Sequence, residues 1–162
     1  AASGNNRSAK SGLTYYNGVV SLDLDGTALQ TICILMASTN AFNEAGREIM
    51  IMPNTILVKH RSNNWFTAKR LVESMADVAG AHAGVKNLYT DFTVIGNPYL
   101  DDADQWTVLQ AKKGLISLTR MPLEITYYDE PRVYGKVVQG VIRYGAAVDN
   151  FRYLASANFS QS

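Results

Sequence analysis

The sequence predicts an α+β fold, and three observations carry that prediction. An apolar stripe at helical spacing runs through residues 28–42, and a second runs through residues 65–75. After Pro98 the chain changes character and becomes a series of β-prone runs separated by turn signals. At 162 residues, with no internal repeat, the chain has the length of one domain and is long enough to bury a core.

The first dozen residues are rich in Ser, Gly, Asn and Ala and read as a flexible arm or the remains of one. Residues 15–24 read as extended, with a turn at Asn17-Gly18. Thr27 is the expected N-cap of the first helix, because its hydroxyl can accept from an unpaired N–H of the first turn. Ala28, Leu29, Ile32, Leu35, Met36, Thr39 and Phe42 then share one stripe, and Gly46 stands where a C-terminal cap is expected. Residues 47–52 and 55–58 are short β-rich runs split by Pro53-Asn54. A second helix is expected over residues 64–76, with Trp65, Ala68, Val72 and Met75 inward. A loop at 80–87 leads to a strand at 92–95, closed by Gly96-Asn97-Pro98.

Four further strands are expected at 106–111, 115–120, 123–128 and 132–144. They are divided by Lys112-Lys113-Gly114, Met121-Pro122 and Asp129-Glu130-Pro131. In the third, Leu123, Ile125 and Tyr127 alternate with Glu124, Thr126 and Tyr128. In the fourth, Val133, Val137 and Val141 share one face, and Tyr134, Val138, Ile142 and Tyr144 share the other. Apolar residues on both faces of a strand imply that both are covered, or that one awaits a partner.

Composition narrows the function. Charged residues make up only 18% against 47% hydrophobic, below the roughly one quarter charged that is usual in globular chains. Such a surface suits contact with other subunits. The 15 basic and 14 acidic residues are scattered, so no sequence-specific nucleic-acid binding is expected. No apolar run approaches a membrane span, and no signal-peptide pattern opens the chain. Cys33, the single cysteine, lies in an apolar stretch and reads as a buried reduced thiol. The chain begins without Met, which suggests a processed or partial sequence.

One motif suggests catalysis. Leu22-Asp23-Leu24-Asp25-Gly26-Thr27 looks like the opening signature of haloacid-dehalogenase-type phosphatases, in which one Asp attacks phosphate and another, two residues on, is the acid/base. Asp101 and Asp102 could then supply further metal-binding carboxylates. Against this, Ser21 and Asp23 interrupt the apolar run, and the later half of the chain lacks crossover helices. An Asp-Gly turn followed by a helix cap accounts for the same residues. His60 and His82 have no partner at metal-ligand spacing, and no P-loop or nucleophile elbow is present. Neither a catalytic residue nor a cofactor nor a metal site is expected, and the chain reads as structural rather than enzymatic.

In order and spacing the chain resembles the major capsid protein of tailed bacteriophages, the Hong Kong 97-type fold, in its Mu-like prophage branch. The resemblance rests on Asn43-Glu44-Ala45-Gly46 closing a helix, then Ile49-Met50-Ile51-Met52-Pro53 and Thr55-Ile56-Leu57-Val58. It continues through Ala68 and Leu71, Val94-Ile95-Gly96-Asn97-Pro98-Tyr99-Leu100, Trp106-Thr107-Val108 and Arg120-Met121-Pro122-Leu123-Glu124 to Arg143-Tyr144-Gly145. It covers residues 25–154.

The resemblance implies a phage capsid fold with a spine helix, a central axial-type domain and a long antiparallel β element. Residues 25–46 and 119–154 would form a peripheral-type domain, 47–118 an axial-type domain, 1–24 an arm or truncated loop remnant, and 155–162 a tail. The arm and extended loop that usually precede the spine helix would be missing or reduced to residues 1–24. The function implied is that of a head subunit, assembled in the host bacterial cytoplasm. It would associate with itself into pentamers, hexamers and an icosahedral shell around DNA, with other head proteins as further partners. The candidate interface residues are Tyr99, Trp106, Arg120, Glu124, Arg132 and Arg143. The two aromatics serve as core or interface anchors, and the others as inter-subunit charge pairs or ordinary surface charges.

Overall fold

The computed structural model describes residues 6–8, 14–16, 18, 19, 21–43, 45–75, 86–130 and 135–158. In chain order the strands and helices are β1 (Asn6–Ser8), β2 (Thr14–Tyr16), β3 (Gly18–Val19), α1 (Gly26–Ile34), β4 (Thr55–Lys59) and α2 (Asn63–Glu73). They continue with β5 (Thr93–Asn97), β6 (Trp106–Leu109), β7 (Leu115–Glu130), β8 (Gly135–Val148) and β9 (Leu154–Ala157). The fold is α+β. The chain forms two compact units, the first made of Ala1–Gly114 with Asn150–Ser162 and the second of Leu115–Asp149.

The first unit is built on a five-stranded mixed sheet in the order β3-β9-β6-β4-β5. β4 and β5 run parallel, which needs a crossover, and α2 supplies it while packing on both strands. β6 lies antiparallel between β4 and β9. Its register sets Trp106 between Val58 and Ala157, and Val108 between Ile56 and Ala155. Directly opposed residues share a face, so these six make two rows on one side of the sheet, and all of them are buried. The small alanines of β9 leave room for the indole. Leu29, Ile32 and Met36 from the helix, with Ala68 and Leu71 from α2, complete the same core.

α1 starts one cap earlier than expected. Asp25, not Thr27, is the N-cap: it is extended (φ −141°, ψ −179°) and its Oδ1 accepts from the Ala28 N–H at 2.6 Å. A carboxylate answers both the unpaired N–H groups and the positive end of the helix dipole, which a threonine hydroxyl does less well. The predicted stripe then meets an irregularity, because Leu35–Thr39 is a π-helical turn closed by Asn40 N–H on the Leu35 carbonyl at 3.0 Å. Met36 stays buried while Thr39 turns outward. Gly46 does not cap the helix. It has φ +74° in a tight turn where its N–H meets the Asn43 carbonyl, and Asn43 Oδ1 accepts from Ala45 and Arg47.

α2 ends at Glu73, so Met75, expected on its inner face, is 94% exposed. Its last carbonyls are answered from a distance: buried Asn87 donates to the carbonyls of Leu71 and Ser74. Most of the loop expected at 80–87 lies outside the described residues. Residues 47–52 form no regular strand; Glu48 makes one bridge to Phe42. The segments read as arm and tail also contribute to the sheet. β3 pairs with β9, Leu24 is buried, and Ala155 and Ala157, at the start of the expected tail, are core residues. α1 shares its core with the sheet of the first unit.

Two consequences can be measured. Trp106 Nε1–H donates to the Leu22 carbonyl at 2.8 Å. Trp106→Phe should cost about 1–3 kcal/mol by leaving that carbonyl unpaired, and Trp106→Ala about 3–5 kcal/mol, both read by urea denaturation. Burial pushes the Cys33 thiol up from 9.0 to about 11. The folded state therefore holds the proton more tightly than the unfolded chain. That contribution is complete below pH 9 and is lost as pH rises through about 11. Between those limits wild type should lose more stability than Cys33→Ala, by on the order of 1 kcal/mol once solvent screening at this half-buried thiol is counted.

Candidate subunit interface

Among the described residues the second unit is an antiparallel ribbon of β7 and β8. β7 has 16 residues, so the ribbon is on the order of 50 Å long. Its strands are longer than expected, since the two runs at 115–120 and 123–128 are one strand passing through Met121-Pro122. Proline lacks the N–H that a ladder needs, and the chain absorbs it with register shifts between Thr119 and Met121 and between Met121 and Glu124. The two shifts add up to an even change, so the alternation of faces survives them.

One face carries the rows Leu115/Val148, Ser117/Ala146, Thr119/Tyr144, Ile125/Gly140 and Tyr127/Val138, with Asp129/Lys136 at the far end. Ile142 and Leu123 belong to it as well: Ile142 by alternation from Gly140, and Leu123 because its Cδ1 would lie 3.7 Å from a methyl placed on Gly140. Every large apolar residue on this face is more than half exposed, with Tyr144 at 75% and Tyr127 at 72%. The opposite face mixes Ile116, Leu118, Tyr128, Val137 and Val141 with Glu124, Thr126, Gln139 and Arg143. A two-stranded ribbon has no second layer of its own, and contiguous apolar faces of this size are uncommon on monomeric soluble proteins.

The candidate residues separate into three groups. Arg120, Glu124 and Arg143 are exposed on the ribbon and form no ion pair among the described residues; Arg132 lies outside them. Tyr99 belongs to the first unit, in the turn after β5, where its N–H donates to Asn97 Oδ1 at 2.9 Å and its side chain is 90% exposed. Trp106 is fully buried, so of its two expected roles it fills the core one. Tyr127, Val138, Ile142 and Tyr144 share one exposed face of the ribbon that residue type alone does not single out. The alternation in the sequence was the available signal, and the paired register completes it.

Three of the four carboxylates considered for phosphate chemistry have structural partners. Asp101 takes part through its backbone carbonyl, which accepts from Lys59 Nζ at 2.9 Å. Asp25 caps α1, and Asp23 Oδ1 accepts from Asn158 Nδ2 at 2.7 Å, tying the start of α1 to the end of β9. Asp102 Oδ1 accepts from the Asp104 N–H in a local turn. No group of three or more His, Cys, Asp or Glu side chains able to hold a metal ion occurs among the described residues. His60 meets Trp65 edge-on, with ring centroids 5.7 Å apart, and His82 lies outside the described residues. No helix among the described residues is long and apolar enough to cross a membrane. No protein-family model matches the sequence, and no curated protein is similar to it.

The capping role of Asp25 is open to a direct check. Asp25→Ala should lower unfolding stability by about 1 kcal/mol, whereas Asp25→Ser, which keeps an acceptor, should lose a few tenths at most. Thermal denaturation of the two variants beside wild type distinguishes them.

Proposed function

We propose that this chain is a structural virion protein: a head subunit of a tailed bacteriophage that associates with copies of itself into capsomers and a closed shell around DNA. The observation that carries the reading is the ribbon, an antiparallel β element apolar on one whole face and on much of the other, with no layer of its own to cover either. Burying such a face is the main driving force available to a subunit that works by association. The order of elements supports the same reading. A helix packed on a mixed sheet precedes a long β element, as in the resemblance drawn from the sequence.

In this reading the core of the first unit gives the subunit its own stability, and the ribbon supplies contacts that exist only between copies. Arg120, Glu124 and Arg143 would act at the rim of those contacts, where unpaired charges set register and exclude wrong partners more than they add affinity. Repeating such contacts gives rings where the rotation between copies closes, and the assembly would form in the host bacterial cytoplasm and end in the virion. Other head proteins would be further partners, without sequence-specific recognition of the packaged DNA.

Light scattering and negative-stain imaging of the intact gene product provide the test. Rings or shells are expected at micromolar protein. Tyr127→Asp combined with Val138→Asp should reduce the product to monomers or small oligomers while the thermal transition of the first unit is retained. An intact product that stays monomeric at every concentration and salt tried overturns the proposal.

A further inference from the structure

The two strands of the ribbon present different outer edges. Pro122 interrupts β7, and both register shifts leave their extra residue on that strand, since Thr119, Met121 and Glu124 face Tyr144, Arg143 and Val141. β7 also carries Arg120, Glu124, Asp129 and Glu130. Proline, bulges and charges are the means by which proteins blunt an exposed edge. β8 has no proline and no extra residue, and its charges are Lys136 and Arg143 alone. Among the described residues no third strand pairs with it. Every second residue of β8 therefore turns its N–H and C=O outward, in a row that repeats about every 7 Å. Only another extended backbone offers groups at that repeat. Gly145 suits such an approach: its backbone is not left-handed, and a methyl there would meet nothing within 4 Å, so no neighbour in the ribbon calls for glycine.

We propose that two copies of this chain join edge to edge through β8, antiparallel about a two-fold centred on Val141, as one sheet in the order β7-β8-β8-β7. The proposal deepens the self-association reading and rests on its first step, that copies of this chain meet. Strand count and closure favour a second copy. A two-stranded ribbon is marginal in water, and four strands are not. Joined through β8, the sheet has a blunted β7 at each outer edge, so growth stops at two copies. Charge sets the register. Directly opposed residues share a face, so the two-fold passes through a residue, and centring on Val141 or Ile142 overlaps nearly the whole strand. Centred on Ile142, the two Arg143 side chains are diagonal neighbours about 7–8 Å apart. Centred on Val141, Arg143 faces Gln139 of the other copy, Lys136 faces Ala146, and the arginines stand about 14 Å apart, beyond the screening length. This overlap supplies about a dozen backbone hydrogen bonds, the number a standard interface carries.

Cross-linking in the full chain tests edge and register together, with Cys33→Ala removing the native thiol. Val141→Cys should give a disulfide-linked dimer on mild oxidation, because the two copies of residue 141 face each other about 5 Å apart. Gln139→Cys with Arg143→Cys in one chain should do the same, and either alone should give little. Within one strand those two positions are about 13 Å apart and cannot bridge. Val141→Lys and Val141→Glu should each weaken association roughly fivefold, and an equimolar mixture of the two should restore it. Amide hydrogen exchange read by NMR separates edge from face contact. On association the N–H groups of every second β8 residue should slow, which packing of side-chain faces would not produce.

No covalent dimer from Val141→Cys, or unchanged exchange along β8, overturns the edge pairing. Shells formed without the residue 141 cross-link leave the capsid reading standing and remove this contact. A cross-linked dimer that never builds larger particles does the reverse.

Discussion

Trp106 occupies the point where three parts of the first unit meet. Its indole is fully buried on the core face of the sheet, between Val58 of β4 and Ala157 of β9. Its one polar atom, Nε1, reaches the carbonyl of Leu22 in the segment that feeds α1. A buried N–H needs a partner, and this one finds it on the chain that must be held against the sheet. Side-chain volume and hydrogen-bond demand therefore set the same arrangement. β9 must be small-residued opposite the indole, and the approach to α1 must run past it. Tyr89 makes a second tie of this kind, its hydroxyl donating to the Gly26 carbonyl at 2.8 Å.

The ribbon leaves and returns through a junction that belongs to the first unit. Gly114 has φ +82°, and a methyl there would sit 3.0 Å from the Asn150 carbonyl oxygen and 3.1 Å from Tyr153 Cβ. Glycine is needed on both counts, for the left-handed backbone and for the close approach. Asn150 N–H meets the Gly114 carbonyl, and Gln110 N–H meets that of Tyr153, so the chain closes behind the ribbon before β9 enters the sheet. The ribbon can thus be long without adding a loose loop to the core that carries it.

Much of this organisation was legible in the residues, and the exceptions have physical reasons. The α2 amphipathic pattern, the strand at 55–58 and the turn at Lys112-Lys113-Gly114 all rest on local signals, and local signals survive folding. β9 escaped because Leu154-Ala155-Ser156-Ala157 has weak strand propensity; its place is set by Trp106 and Val108, nearly fifty residues earlier. The cap at Asp25 is masked in the sequence because Asp25-Gly26 reads as a turn that leaves Thr27 next to the apolar stripe. Pro122 suggested a strand end, whereas an edge strand with a bulge can carry a proline. At the candidate interface, residue type points to two aromatics, Tyr99 and Trp106, and to the charges Arg120, Glu124, Arg132 and Arg143. The face that stands exposed is assembled from tyrosines and aliphatics whose common side appears only once β7 and β8 are in register.

A division of labour follows from where the apolar residues went. The buried hydrophobic side chains of the first unit gather in one cluster spanning both helices and the sheet, and buried Asn87 is paired at the end of α2. The ribbon has comparable apolar side chains and almost none of that burial. A solitary monomer would hold such a surface at a steady risk of aggregation, because edge strands and apolar faces pair with whatever reaches them. Pro122 and the two register shifts roughen the outer edge of β7, while β8 runs unbroken from Gly135 to Val148. The ribbon is thus protected against indiscriminate edge growth on one side, while its apolar face is left open. That combination disfavours fibre-like pairing along β7 and leaves face-to-face contact as the route by which the apolar residues can leave water.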